Sequence, residues 1–219
     1  LMQHAVAIGL REDDPTVGVN PLKVKSDGFH SWTEDEISRF ERAHQIGSRE
    51  RLAFDLLLYT GQRRSDVVRM GPQHVQNGRL DIRQDKTAAP VSIPILPDLQ
   101  TSLDAAPVGH LAFLVTKSGG PFKLNAFSNW FRKACKTAGL RNCPAHGLRK
   151  AAARRLAEAG CTPHEISAIT GHRSLSEVVR YTRAAEQKRL ADTAMDKLQR
   201  EHRLTNLDVR FVKSRKKPL

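Results

Sequence analysis

The sequence predicts a mainly α domain carrying a small antiparallel β-sheet or hairpin, an α+β fold. Three observations carry that expectation. Stretches with apolar residues at helical spacing, opened by capping residues and closed by glycines, follow one another along most of the chain. Two short runs, "GRLDIRQ" and "VSIPI", instead alternate apolar and polar residues, with "DKTAAP" between them. The length of 219 residues allows one sizeable core.

Taken in order, residues 1–30 read as a linker or N-terminal extension, rich in Pro, Gly and charge and without a sustained period. Thr33 and Glu36 make a capping-box pattern that opens a helix to about residue 45. "SRERLAFDLLLYT" reads as a mostly buried helix stopped by Gly61, and Ser65 as the cap of a short helix over "DVVRM". The hairpin follows, with Lys86 in or beside its turn. "HLAFLV" is a further strand candidate, closed by "KSGGPF". Residues 124–137 form an amphipathic helix that ends near Gly139. In "AHGLRKAAARRLAEAG", Leu148, Ala152, Leu156 and Ala159 make one apolar stripe of a helix over 146–159, stopped at Gly160. Thr162, Pro163 and Glu165 open a helix that ends at Gly171, and Ser174 and Glu177 open the next, which carries Tyr181. Residues 200–219 are basic and weakly patterned, a tail in need of a docking surface.

Composition narrows the function. Lys and Arg number 36 against 23 Asp and Glu, a formal net charge of +13. A field of that sign concentrates polyanions and speeds encounter with them, so nucleic acid is the default partner. Aromatics are only 5%, too few for an evident single-strand stacking platform. The three cysteines form no disulfide framework and read as reduced thiols of a cytoplasmic protein. The longest apolar runs are too short to span a bilayer, and no signal-peptide pattern opens the chain.

Three places depart from a plain helical core. In "TGQRRSD", Arg63 and Arg64 stand between a glycine stop and a cap. His146 and Arg149, three apart on one helix face, form a clamp suited to an anion, because guanidinium offers a fixed fork of donors. In "TGHRSLSEVVRYT", His172 sits in a turn and Tyr181 on the following helix. A phenol near such cations becomes a usable nucleophile where they favour its phenolate. Cys143 with His146 and Cys161 with His164 repeat a C-x2-H spacing that four-ligand zinc could use. That spacing is common by chance and both pairs sit at helix starts, so no metal is expected.

The ordered set TG-x-R-x-S-D, a hairpin lysine, H-x-L-R, G-H and a tyrosine nine residues on resembles the catalytic domain of tyrosine recombinases, the phage-type integrases. The resemblance implies that Arg63 and Arg149 clamp the non-bridging oxygens of a scissile phosphate. It implies that Lys86 protonates the leaving 5′ oxygen, that His146 assists proton movement at the tyrosine, and that His172 donates a hydrogen bond to the phosphate. Tyr181 corresponds to the nucleophile, joined transiently to a DNA 3′ phosphate. Asp66 stands where the family usually has Glu and is expected to support the histidines or arginines from behind. Arg64, Lys150 and Arg173 are expected to contact DNA. Lys150 departs from a frequent His, and Gln62 from a usual apolar residue.

On this resemblance residues 31–190 form the catalytic domain and 191–219 a tail that docks on a neighbouring subunit. The implied function is site-specific recombination in the integration or excision of a mobile element, with no cofactor. Implied partners are double-stranded DNA, a homotetramer on DNA in the full-length protein, and accessory DNA-bending or directionality proteins. The family's N-terminal helical clamp has no counterpart before residue 30, so weak DNA binding is expected of the chain alone. Alternatives are a type IB topoisomerase-like relaxing enzyme and a non-catalytic helix-turn-helix regulator.

Overall fold

The computed structural model describes residues 1–20 and 28–214. A short helix α1 (Met2–Ala7) opens the extension, part of which, residues 21–27, lies outside the described residues. Helix α2 (Glu34–Ala43) starts at the expected capping box: the Thr33 hydroxyl accepts from Glu36 N, and the Glu36 carboxylate accepts from Thr33 N. Helix α3 (Arg49–Thr60) is buried on nearly all sides and stops at Gly61, whose φ of 60° is left-handed and suits glycine. Helix α4 (Arg64–Val67) begins two residues before the expected start. The Arg63 carbonyl accepts from Asp66 N and Val67 N, so Arg63 and not Ser65 is the cap residue.

The sheet is antiparallel, in the order β1 (Val75–Gln76), β2 (Arg79–Arg83), β3 (Pro90–Pro94). The β2–β3 hairpin pairs Leu80 with Ile93 and Ile82 with Val91, which puts its apolar residues on one face. Helix α5 (Pro97–Ala105) follows, with proline in its first turn. "HLAFLV" is not a strand. Ala112, Phe113 and Leu114 are buried, but the segment crosses as a loop: Phe113 N donates to Met70 O, and only an isolated bridge joins Val115 to Pro121. Burial in the core explains the apolar run, and the missing ladder explains why it forms no strand.

Helices α6 (Leu124–Thr137), α7 (Ala145–Glu158), α8 (Pro163–Thr170) and α9 (Leu175–Ser214) complete the fold. An aromatic cluster of Trp32, Phe40, Phe54 and Phe131 is the centre of the main core; Phe40 and Phe54 stack with centroids 4.7 Å apart. A smaller cluster of Ala153, Ala157, Ile166 and Val178 joins α7, α8 and α9, with Tyr181 packed against it. At the start of α9 the Ser174 hydroxyl pairs with the Ser176 hydroxyl, 2.6 Å away. Beyond residue 190, where a separate tail was expected, α9 continues without a break to Ser214, and residues 215–219 lie outside the described residues. Leu190, Met195 and Leu198 are exposed along it.

Candidate active site

The end of α3, the N-terminus of α7 and the turn after α8 meet, and their polar groups interlock beneath one surface. Helix α7 is held to the core by Leu148, Ala151 and Ala152. Unlike α2 and α8, which open with complete capping boxes, its first turn has no acidic residue and no side-chain cap. The positive end of its dipole is therefore left without an acidic partner in the turn that carries His146.

Arg149 is 2% exposed. Its Nη1 donates to Gly61 O at 2.9 Å and to Thr170 O at 2.6 Å, which pins α7 to the ends of α3 and α8. Its Nη2 is buried without a hydrogen-bond partner among the described residues. A buried donor of this kind is costly unless something accepts from it. Burial, reinforced by the Arg63 charge, pulls the Arg149 pKa down to about 10, against the pull of Asp66, Tyr181 and Glu177.

Two histidines share this field. His172 is pushed down to about 4, first by burial and then by Arg149, Arg63 and His146. Its Nδ1 lies 2.6 Å from the Thr170 hydroxyl, which fixes the ring. His146 also lies below its ordinary value, through burial and then through Arg149, Lys150, Arg63 and Arg64. The charges of Arg63 and Arg149 thus oppose each other and oppose a proton on His146 or His172, a condition that an oxyanion relieves.

A layer of glutamines underlies the cluster. Gln84, 1% exposed, donates from Nε2 to Gln62 Oε1 at 2.6 Å and to Thr170 O at 2.8 Å. Its Oε1 accepts from Arg63 Nη1 at 3.0 Å and from the Thr87 hydroxyl at 2.7 Å. Gln62 donates onward to Ile169 O and Thr60 O. Gly171 makes room for this layer: a Cβ there would come 2.3 Å from Gln84 Nε2, and its φ of +69° is left-handed. Gln62, an odd choice in sequence, is thus the polar partner of a buried glutamine. Gln84 itself gave no sequence signal beyond following the strand.

The two tyrosines of the chain have opposite surroundings. The Tyr59 hydroxyl donates to Asp98, and burial with the charges of Asp55, Asp98 and Glu41 pushes its pKa up to about 12. Tyr181 is half-buried beside Arg149 and Arg180, whose charges favour the phenolate, but burial outweighs them and its pKa is raised. At Tyr181 desolvation thus outweighs the favourable charge of the arginines in the free protein.

Lys86 is exposed in the hairpin turn and makes no side-chain hydrogen bond or ion pair among the described residues. Its neighbours are tethered: Asp85 N donates to Asp66 Oδ1 at 2.7 Å, and Arg173 donates to Thr87 O. Asp66 thus anchors the lysine's turn rather than bonding a catalytic-type histidine or arginine, and reaches Arg149 only through charge. Lys150 donates to Phe29 O at 2.5 Å, which ties its ammonium to the segment before α2. Arg64 is exposed and lines a cavity of about 280 Å³ with Phe29, Arg132 and Arg141.

The family model of the phage integrase family matches residues 31–188. The integrase of Escherichia phage HK022 is 27% identical over 196 residues, covering 83% of this chain and 54% of that protein. The chain thus spans about half the length of this curated relative. Among solved structures, a lambda integrase (75–356) dimer bound to a COC' core site superposes with a TM-score of 0.68 at 25% identity, over 80% of this chain and 68% of that one. A lambda integrase tetramer bound to a Holliday junction gives 0.65 at 25% identity, over 80% and 56%. XerA recombinase, at 20% identity and a TM-score of 0.64 over 80% and 66%, shares the fold. No described helix is long and apolar enough to cross a membrane.

Proposed function

The chain belongs to the phage integrase family, and from that premise we propose that it cleaves and rejoins duplex DNA through a transient 3′-phosphotyrosine at Tyr181. The observation that carries the proposal is the convergence of Arg63, His146, Arg149 and His172 on one partly desolvated surface beside Tyr181, with a buried Arg149 donor left over.

The Tyr181 oxygen attacks the scissile phosphorus, and the bond from phosphorus to the 5′ oxygen breaks. Charge builds on the two non-bridging oxygens, where Arg63 and Arg149 accept it and His172 donates a hydrogen bond. In the free protein His172 is neutral near pH 7 and, because the Thr170 hydroxyl donates to Ile166 O, its proton sits on Nδ1; the phosphate's negative charge favours the second proton, on Nε2, from which His172 donates. His146, also held neutral by burial and then by its cationic neighbours, is fit to take the phenol proton. Lys86 protonates the leaving 5′ oxygen from the hairpin tip. The phosphodiester energy is kept in the phosphotyrosine, so a second 5′ hydroxyl reverses the step and joins the new strands without a cofactor.

Arg64 and Arg173 contact the DNA backbone, as the net charge of +13 favours. In the full-length protein four protomers act together on duplex DNA, aided by accessory DNA-bending or directionality proteins. The apolar stripe of Leu190, Met195 and Leu198 on α9 is the surface through which the C-terminal segment docks on a neighbour. The protein acts in the cytoplasm, on the integration or excision of a mobile element.

A nicked suicide substrate tests the reading. Incubation with cognate DNA and denaturation should leave a covalent adduct that Tyr181→Phe abolishes while its circular dichroism stays unchanged. An undiminished adduct in Tyr181→Phe refutes the assignment, and a protein that binds the site but forms no adduct refutes the chemistry.

A further inference from the structure

Away from the cation cluster, three side chains of metal-ligating type converge from three segments. His30 precedes α2, Glu36 lies in its first turn, and Cys143 lies just before α7. One donor atom from each lies within 4.8 Å of the other two, and no other such group occurs among the described residues. His30 Nε2 is 2.7 Å from Glu36 Oε2, and Cys143 Sγ lies within 4.8 Å of a donor atom of each. Cys143 is 7% exposed, and His30 and Glu36 are half-buried. This is a mixed nitrogen, oxygen and sulfur set shielded from solvent, not a patch of surface acids. The C-x2-H spacings pair Cys143 with His146, whereas the fold pairs it with His30 and Glu36.

We infer that His30, Glu36 and Cys143 form a binding site for a zinc-class divalent cation that staples the segment before α2 to the start of α7. Imidazole, thiolate and carboxylate are donors Zn²⁺ accepts together, with water completing a tetrahedron. Ligand bonds of about 2.0–2.3 Å put the donor atoms of such a tetrahedron roughly 3–4 Å apart, within the spread seen here. The His30–Glu36 pair opens by under about an ångström to admit the ion. On binding, the thiol loses its proton to solvent and the sulfur–metal bond forms. His30 ligates through its Nε2 lone pair with the ring proton on Nδ1, and nothing is oxidised or reduced.

The position of the site gives it a consequence. The stapled segment lies across the first turn of α7: Trp32 Nε1 donates to Pro144 O at 3.0 Å, and Lys150 donates to Phe29 O. The Phe29 ring sits edge-on to His146 with centroids 5.0 Å apart. Gly147 allows the approach, since a Cβ there would lie 2.3 Å from His30 O. A cation bound at one end of this segment fixes the residues that orient His146 at the other.

Cobalt and zinc titration of the purified chain, stripped with chelator and kept reduced, tests the site independently of any DNA activity. The expected result is one Co²⁺ per chain, with a thiolate-to-cobalt band in the near ultraviolet, displaced by Zn²⁺, and a melting temperature that rises with Zn²⁺. Cys143→Ser should remove the band. His30→Gln and Glu36→Gln should weaken binding at least tenfold, the latter keeping a capping-competent side chain. Cys161→Ser should change nothing. Absence of one-to-one binding in the wild type, or binding that survives Cys143→Ser, overturns the inference; so does dependence on Cys161, which would favour the C-x2-H set.

Discussion

Replacing Gln84 by alanine removes the node that joins the hairpin to the cation cluster. Four hydrogen bonds disappear: two from Nε2, to Gln62 and to Thr170 O, and two to Oε1, from Arg63 and from Thr87. Thr170 O keeps its bond from Arg149, and Thr87 lies near water, so neither is left stranded. Gln62 Oε1 is left fully buried, at a cost of about 1–3 kcal/mol. Arg63, half-buried, adds less because solvent reaches it. With the small cavity included, the loss is about 2–4 kcal/mol. For a chain of this size that corresponds to a fall of about 4–16 °C in Tm. Gln84→Met, which keeps the volume but not the polarity, should recover part of the packing and none of the effect on Arg63. Urea unfolding measures the first quantity, and single-turnover DNA cleavage at a temperature where every variant is folded measures the second. Both variants should cleave at least tenfold more slowly. Unchanged stability together with unchanged cleavage in Gln84→Ala would refute the role of the glutamine layer.

Other perturbations have equally definite outcomes. His172 has a depressed folded pKa, so the unfolded chain binds the extra proton first: its contribution to stability is complete above about pH 6.5 and is lost as pH falls toward about 4. Urea unfolding across that window should show a stability loss that is smaller in His172→Gln, and parallel pH profiles would count against it. Gly147→Ala forces a Cβ toward His30 O and the Trp32 ring, and should destabilise by about 1–3 kcal/mol while lifting Phe29 from His146; an unchanged Tm contradicts the close packing. Asp66→Ala frees Asp85 N and should slow cleavage more than it weakens DNA binding, because it loosens the turn carrying Lys86; a binding defect alone would argue for a different role.

Helix starts and the hairpin were legible in the sequence because they rest on local chemistry. Thr33 with Glu36 and Thr162 with Glu165 form reciprocal caps within one turn, and Gly61 and Gly171 take left-handed backbone that other residues resist. "HLAFLV" misled because burial, not sheet pairing, made it apolar. The basic stretch over 200–219 lacked a clear pattern, yet α9 runs on into it as far as Ser214, with no proline or glycine on the way. Within the candidate site, His146, Arg149, His172 and Tyr181 could be singled out as cationic or phenolic groups against apolar stripes. Gln84, the anchoring of the hairpin by Asp66 and the hold of Lys150 on Phe29 could not, since each depends on residues about 20 or more positions away. The Tyr181 environment depended on the balance between burial and charge, which only packing sets.

The account turns on which tyrosine becomes joined to DNA. The chain has two: at Tyr181 the charges of Arg149 and Arg180 outrank that of Glu177, whereas at Tyr59 those of Asp55, Asp98 and Glu41 outrank that of Arg155. Digestion of the covalent adduct with protease and nuclease, followed by tandem mass spectrometry, locates the attached nucleotide. A 3′-linked nucleotide on the peptide containing Tyr181 is the predicted result. A nucleotide on Tyr59, on any other residue, or linked through a 5′ phosphate would contradict it.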